Sequence, residues 1–290
     1  MVTKTLQVRD ALPADTDAMR VITRNVWDGD DYLPFVWDEW LGDGTGRLLA
    51  ATLGDEVVGL QHIALQPNGI GWVEGIRVRE DLRSKGIGGA MLEEAIQWGA
   101  SLGLHTLRLS TSSGNAASSR IAERAGFELR DEYVNLRAEP LHSSHIPPAT
   151  VRPENPGEFE EAWHLLGLAG KPDGSELYSE GWTVHALTAK RLRLLLGTLA
   201  VLASDSKAVA IVTSKVERPS MRIGRLTGDE EGMTACCRWV RVRAGQLGID
   251  RINANVPATA EGAADALTCA GFSSNKSGTM MLLHEKRLSG

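Results

Sequence analysis

The sequence predicts an α/β protein built from two tandem copies of one mixed α/β domain. Three observations carry that expectation. The 290-residue chain is long for one ordinary domain and comfortable for two. Short motifs recur at a near-constant offset. Val8-Arg9 with Pro13 returns as Val151-Arg152 with Pro156, and Leu102-Gly103-Leu104 returns as Leu247-Gly248-Ile249. Ala125-Gly126-Phe127 returns as Ala270-Gly271-Phe272, at the same 145-residue offset as the Leu-Gly pair. Strand-like and helix-like runs also alternate through the first copy. The Pro/Ser/His-rich run 140–150 suits a linker, giving domains over 1–140 and 151–290 with 141–150 between them.

Each element of the first copy has a local reason. Leu6–Arg9 reads as a short strand, and Pro13 with Asp15 opens a helix running to about Val26. Arg47–Leu53 and Val57–Leu65 are β-like runs joined by Gly54-Asp55-Glu56, a hairpin turn. Trp72–Val78 is a further strand. Gly88–Leu102 carries Met91, Leu92, Ala95, Ile96 and Gly99 at helical spacing. Thr106–Ser110 alternates Leu107 and Leu109, Asn115–Ala125 is a second helix, and Phe127–Leu136 closes the copy as a strand. In the second copy the apolar stretch Leu192–Ala203 contains Arg193 and is too short for a membrane span. It reads as a core helix or two adjoining elements.

Composition closes several function classes. A net charge of −6 argues against a nucleic-acid binder held by bulk charge. Hydrophobic residues at 42% and charged residues at 23% are those of a globular protein. The N-terminus has no apolar h-region, so the expected location is cytoplasmic, with no membrane partner. Cys236, Cys237 and Cys269 make neither a disulfide framework nor a zinc site, and read as buried residues in helices. No metal is expected. Charge is uneven: residues 1–140 hold 21 acids against 14 Lys and Arg, and residues 141–290 hold 16 against 17.

The most informative stretch is Trp72–Gly89, a strand running into a Gly-rich turn that opens a helix. Backbone N–H groups at such a turn point outward, and the helix N-terminus adds partial positive charge. Gly86, Gly88 and Gly89 lack a Cβ, so a pyrophosphate can approach the main chain, with Arg83 and Lys85 at the rim. Taken alone, the glycines also fit a plain corner that serves packing. Neither G-x-G-x-x-G nor a Walker loop is present.

Arg83-Ser84-Lys85-Gly86-Ile87-Gly88 resembles the R/Q-x-x-G-x-G/A loop of the GCN5-related N-acetyltransferase (GNAT) superfamily. The Asn115-led helix ending in Gly126-Phe127 resembles its second block. The resemblance covers roughly residues 6–137. It implies, in each copy, a mixed and mostly antiparallel sheet flanked by helices. It also implies acetyl-CoA in a V between splayed strands, with Ile76 and Val78 on the pantetheine, residues 83–89 on the pyrophosphate and Asn115 on the pantetheine arm. The second copy departs from the pattern: offset 145 sets Gly228 opposite Arg83, Glu231 opposite Gly86 and Ala260 opposite Asn115. Carboxylates there repel a pyrophosphate, so that copy reads as a structural partner.

Amine acetylation needs a neutral nucleophile, and Glu74 is the candidate base. Period-two alternation sets it on the face of Trp72, Ile76 and Val78, an apolar setting expected to raise a carboxylate pKa. Gly75 marks a candidate bulge. Glu74 serves either as base through water or as a clamp on a cationic amine; the bland alternative is an ion pair with Arg77 or Arg79. Many family members carry a Tyr as general acid where this chain has Ala122, leaving Ser118, Ser119, Tyr133 or water.

Residues 27–43 hold six acids, three Trp, one Tyr and no Lys or Arg. The resemblance puts the acceptor pocket in this segment, with Asp31, Tyr32 and Trp37 as candidate substrate contacts. A surface helix packing Trp37 and Trp40 inward is the alternative. Asp31-Tyr-Leu-Pro34, Trp40-Leu41 and Val73-Glu-Gly-Ile-Arg-Val78 also resemble the vertebrate histidine N-acetyltransferase group, implying a free amino acid such as histidine as acceptor. The whole reading is an acetyl-CoA-dependent N-acetyltransferase acting on a small-molecule amine. The alternatives are a polyamine or aminoglycoside-type acceptor, or a catalytically silent CoA-binding module. No nucleic-acid partner is expected, and a homodimer is left open.

Overall fold

The computed structural model describes residues 5–142, 152–153, 159–198, 201–205, 207–215, 219–274 and 278–288. The chain forms two compact units. One takes in residues 1–109, 115–130 and 284–290, the other 110–114 and 131–283. Residues 143–150 of the expected linker, and Val151 and Pro156 of the repeat, lie outside the described residues.

The first unit begins with β1 (Leu6–Asp10) and a 3₁₀ turn at Pro13–Asp15. Asp15 accepts the Leu12 amide and pairs with Arg9; the Arg9 hydrogen bonds hold its carboxyl below the ordinary range. Two helices follow, α1 (Thr16–Thr23) and α2 (Leu33–Leu41), with Met19, Ile22, Leu33 and Trp37 buried. β2 (Arg47–Leu53), β3 (Glu56–Gln66) and β4 (Ile70–Val78) make antiparallel hairpins, so β1 to β4 form a meander. α3 (Ile87–Ser101) returns the chain to β5 (Thr106–Ser112), which runs parallel to β4. On α3, Met91, Leu92, Ala95 and Gly99 are buried and Ile96 is half-buried, as the helical spacing predicts. α4 (Ala116–Arg124) follows, and β6 (Glu128–Ala138) begins in this unit and belongs to the other from Asp131 on.

Two features of this sheet position the site. The β3–β4 ladder shifts register between Leu60 and His62, where β4 carries one extra residue beside Gly75 at φ +68°. The sequence reading of a bulge at Gly75 is met, and no Cβ fits there: it would stand 2.8 Å from Trp40 Cζ3. The β4–β5 ladder has only three pairs, ending at Trp72 with Arg108. Beyond it, Val73–Val78 has no β5 partner in that ladder.

The second unit repeats the plan. β7 (Arg152–Pro153) and α5 (Phe159–Leu165) precede a two-stranded hairpin, β8 (Leu177–Glu180) with β9 (Thr183–Ala186). α6 (Ala189–Gly197) is followed by β10 (Val201–Ser204), β11 (Ala208–Lys215) and β12 (Ser220–Gly228). Then come α7 (Glu230–Gln246), β13 (Arg251–Pro257), α8 (Ala263–Cys269), β14 (Ser273–Ser274) and β15 (Met281–Arg287), whose residues from His284 on belong to the first unit. Leu192–Ala203 thus spans two adjoining elements, the end of α6 and the start of β10. β10, β11 and β12 are antiparallel neighbours and β13 pairs with β12 in parallel. The repeat holds to backbone detail: β5 and β13 sit 145 residues apart at both ends. Gly103 and Gly248 (φ +69° and +66°) and Gly126 and Gly271 (φ +80° and +84°) are left-handed in both copies. Cys236 and Cys237 are buried in α7, but Cys269, at the end of α8, is exposed, which corrects the expectation that all three are buried.

The copies differ where the Gly-rich turn belongs. Eight residues separate β4 from α3, whereas Asp229 alone separates β12 from α7. Asp229 caps α7 itself, accepting the Gly232 amide at 2.8 Å. Glu230 and Glu231 follow in the first turn. Among the described residues, no helix is long and apolar enough to cross a membrane.

Candidate active site

The turn between β4 and α3 is shaped by two left-handed residues, Ser84 (φ +63°) and Gly86 (φ +83°), which bend successive amides toward one side. The first bond inside α3 runs from the Ala90 amide to the Gly86 carbonyl, so the amides of Ile87, Gly88 and Gly89 precede the helical ladder. Arg83, Ser84, Lys85 and Gly86 are exposed, while the Ile87 side chain is buried. The glycines divide by role. A Cβ on Gly86 or Gly89 would meet nothing within 4 Å, leaving open space over the amides. A Cβ on Gly88 would stand 3.2 Å from Ile121 and 3.8 Å and 3.9 Å from Ile76 and Val78, so this glycine joins α3 to α4 and the free end of β4. Asn115 caps α4: its Oδ1 accepts the Ser118 amide at 3.1 Å, and the residue is exposed. Ile76, Val78 and the turn at 83–89 are therefore brought together around one open edge.

An anionic ligand fits these residues. The space over Gly86 and Gly89 is a cradle a side chain would fill. The amide-rich start of a 15-residue helix and the two rim cations match a pyrophosphate.

Glu74 lies on β4 four residues before Val78, and its surroundings were not legible from alternation. The bulge at Gly75 breaks the period, and Glu74 faces His62 of β3 rather than an apolar wall: Nδ1 stands 3.1 Å from Oε1. Neither Arg77 nor Arg79 pairs with it. Arg77 holds Asp31, and Arg79 holds Asp81 and Glu56. His62 is buried, with Trp40 stacked on it at 4.2 Å between ring centroids and 9° between planes. Its Nε2 stands 3.5 Å from Asp43 Oδ2 and makes no hydrogen bond. Asp43 is fixed by the Thr45 amide and hydroxyl on its other oxygen. Burial works to raise its carboxyl, but the Thr45 and Gly46 hydrogen bonds and His62 outweigh burial and hold it low. Glu39, Trp40, Asp43, His62, Ala64 and Glu74 line a cleft of about 450 Å³.

His62 and Asp43 are functional candidates that sequence reasoning missed. A signal existed. The turn Pro67-Asn68-Gly69, left-handed at Asn68 and Gly69, fixes Gln66 opposite Ile70, and counting back sets His62 opposite Glu74.

Two expected substrate contacts need correction. Both oxygens of Asp31 are engaged by Arg77, at 2.8 and 3.0 Å, and the Leu33 amide also donates to it; the residue is buried. Trp37 is a core residue whose Nε1 donates to Thr16. The carboxylate is held by a partly buried guanidinium and the indole is packed into the core, so neither lines the cleft beside Glu74. Tyr32 stays at the site's margin, edge-on to Trp40; burial, then the Glu74 charge, pushes its phenol well above the ordinary range. Arg77 also lies 4.6 Å over Trp27, so this acidic segment is pinned to β4. Asp31→Ala strands Arg77 beside that ring and is expected to cost about 3 kcal/mol of stability, read by denaturant unfolding. Acetyl-CoA affinity is expected to persist below the unfolding range. Ala122 is buried, and Tyr133 is buried as well.

Residues 15–127 match the model of the Acetyltransferase (GNAT) family. The match lies wholly within the first copy. Over 88 residues the chain is 31% identical to histidine N-acetyltransferases of Scomber australasicus and Oreochromis niloticus. That match takes in 30% of this chain and spans about a quarter of the relatives' own length, 26%. A GCN5-related N-acetyltransferase structure from Sphaerobacter thermophilus is 15% identical with a TM-score of 0.71, over 98% of this chain and 96% of that one. Another from Kribbella flavida is 16% identical with a TM-score of 0.54, over 99% and 72%. At such identities the likeness is one of fold, and it spans both copies.

Proposed function

We propose that the protein is an acetyl-CoA-dependent N-acetyltransferase whose acceptor is the primary amine of a small cationic molecule. The observation that carries this reading is the free end of β4, which leads from Glu74 at an acidic cleft to the amide-lined turn before α3. Acetyl-CoA supplies an activated acyl group as a thioester, and its transfer to a neutral amine releases the thiol. Residues 83–89 hold the pyrophosphate, Ile76 and Val78 hold the pantetheine through their backbone, and Asn115 borders the pantetheine arm. Glu74 takes the proton that the acceptor ammonium must lose, directly or through one water. The second copy takes no part in acetyl-CoA binding, because its own Asp229 caps the corresponding helix and the turn is missing.

Two acceptor classes compete. The histidine N-acetyltransferase relatives favour a free amino acid such as histidine. The cleft favours an amine without a carboxylate: it is lined by Glu39, Asp43 and Glu74 and by no Lys or Arg. The experiment compares amines differing only by that group, histamine with histidine and cadaverine with lysine, by thiol release from acetyl-CoA. On this reading the decarboxylated member of each pair has a kcat/KM about tenfold higher or more. Preference for the amino acids restores the free amino-acid reading. Tight acetyl-CoA binding without turnover on any amine leaves a silent CoA-binding module.

A further inference from the structure

We propose that His62 is the positioning residue that gives Glu74 the geometry of a base, with Asp43 facing the imidazole from its far side; this rests on the acetyl-transfer reading. His62 is 2% exposed and sits mid-strand, where packing alone calls for an apolar side chain. Instead both ring nitrogens face carboxylates that line the cleft, Nδ1 toward Glu74 and Nε2 toward Asp43. An ionised carboxylate only accepts, so the hydrogen between Nδ1 and Oε1 belongs to the ring. That bond fixes Oε1 and leaves Oε2 to receive the acceptor's proton. In the step, the N–H bond of the ammonium breaks, its electron pair stays on nitrogen, and the proton joins Oε2. The ring keeps its own hydrogen, and Oε2 returns its proton to solvent after the product leaves.

The surroundings keep the ring from turning away. Trp40 covers one face in a near-parallel stack. Glycine is required at 46, where a Cβ would stand 2.3 Å from Asp43 Oδ2, 2.6 Å from the Ile63 carbonyl and 3.0 Å from His62 Nε2. Gly75 likewise keeps room for Trp40. From the neighbouring elements, β2 opposes His62 with the apolar Leu48, and α2 contributes Glu39 to the cleft. A nucleophile or base held by an imidazole, itself oriented by a third group, is a recurring solution to positioning.

The test compares His62→Asn, whose amide supplies a donor near the Nδ1 position, with His62→Phe, which keeps a ring against Trp40 but no donor. Acetyl-CoA affinity by calorimetry reports folding, and the amine of highest turnover reports catalysis. The Phe variant is expected to lose about 10- to 100-fold in kcat with the KM for acetyl-CoA unchanged. The Asn variant is expected to recover most of that loss, and Asp43→Asn to fall between them. In a Glu74→Gln background the Phe substitution is expected to cost nothing more, because its effect runs through Glu74. If the Phe variant no longer binds acetyl-CoA, His62→Leu, which likewise offers no donor, takes its place. Equal loss in the donor and no-donor variants, a loss confined to KM, or additive effects with Glu74→Gln overturns the proposal while the acetyl-transfer reading stands. A wild-type protein that acetylates no amine overturns both.

Discussion

Glu74→Gln is expected to lower kcat by about a hundredfold or more at neutral pH, with acetyl-CoA affinity unchanged. The amide keeps a carbonyl oxygen for the His62 Nδ1–H and nearly the same volume, so the fold around the Gly75 bulge is retained. What disappears is the ability to take a proton. The defect is therefore expected to shrink as pH rises toward the range where the acceptor amine is already neutral. Steady-state thiol release across pH with one good amine checks both statements. Full activity at every pH would remove Glu74 from the mechanism and leave it a cleft wall.

Gly86→Glu is expected to weaken acetyl-CoA binding by at least a hundredfold, read by calorimetry. Two effects add. At φ +83° a residue with a Cβ is strained by about 1–2 kcal/mol. The Cβ at 86 also points into open space over the amides, where a carboxylate would stand in the phosphate's place and repel it. Gly86→Ala separates the two, since it adds strain without charge and is expected to weaken binding only about tenfold. Gly89→Ala adds a methyl over the same amides without that strain, since Gly89 lies within α3 at no positive φ, and so reads the effect of filling the cradle alone. Unchanged affinity in Gly86→Glu would sink the pyrophosphate assignment.

The fold was legible wherever the chain signals locally. Arg47–Leu53 matched to the residue, and the other elements of the first copy matched to within a few residues. The offset of 145 was carried by glycines that both copies hold in the left-handed region, a backbone demand that outlasts the side chains around it. The Gly-rich turn was readable for the same reason. The acceptor side was less so, because its contacts are long-range. Arg77 claims Asp31 across 46 residues, which turns the most promising acid of the 27–43 segment into a brace. Burying Trp37 and exposing Glu39 is a matter of which α2 face meets the sheet, and only Trp40 serves both core and cleft. Alternation along β4 misjudged Glu74, because one extra residue at Gly75 breaks a period of two. His62 carries no local signal; only the hairpin register pairs it with Glu74.

Mass spectrometry of the reaction mixture tests the central claim most directly. Wild-type protein is incubated with acetyl-CoA and a cationic primary amine such as histamine, and acetylated amine and free thiol are counted together. The account predicts one N-acetylated product per thiol released, with the product absent when Gly86→Glu replaces the wild type. Saturable acetyl-CoA binding with no acetylated amine from any cationic or amino-acid acceptor would contradict it.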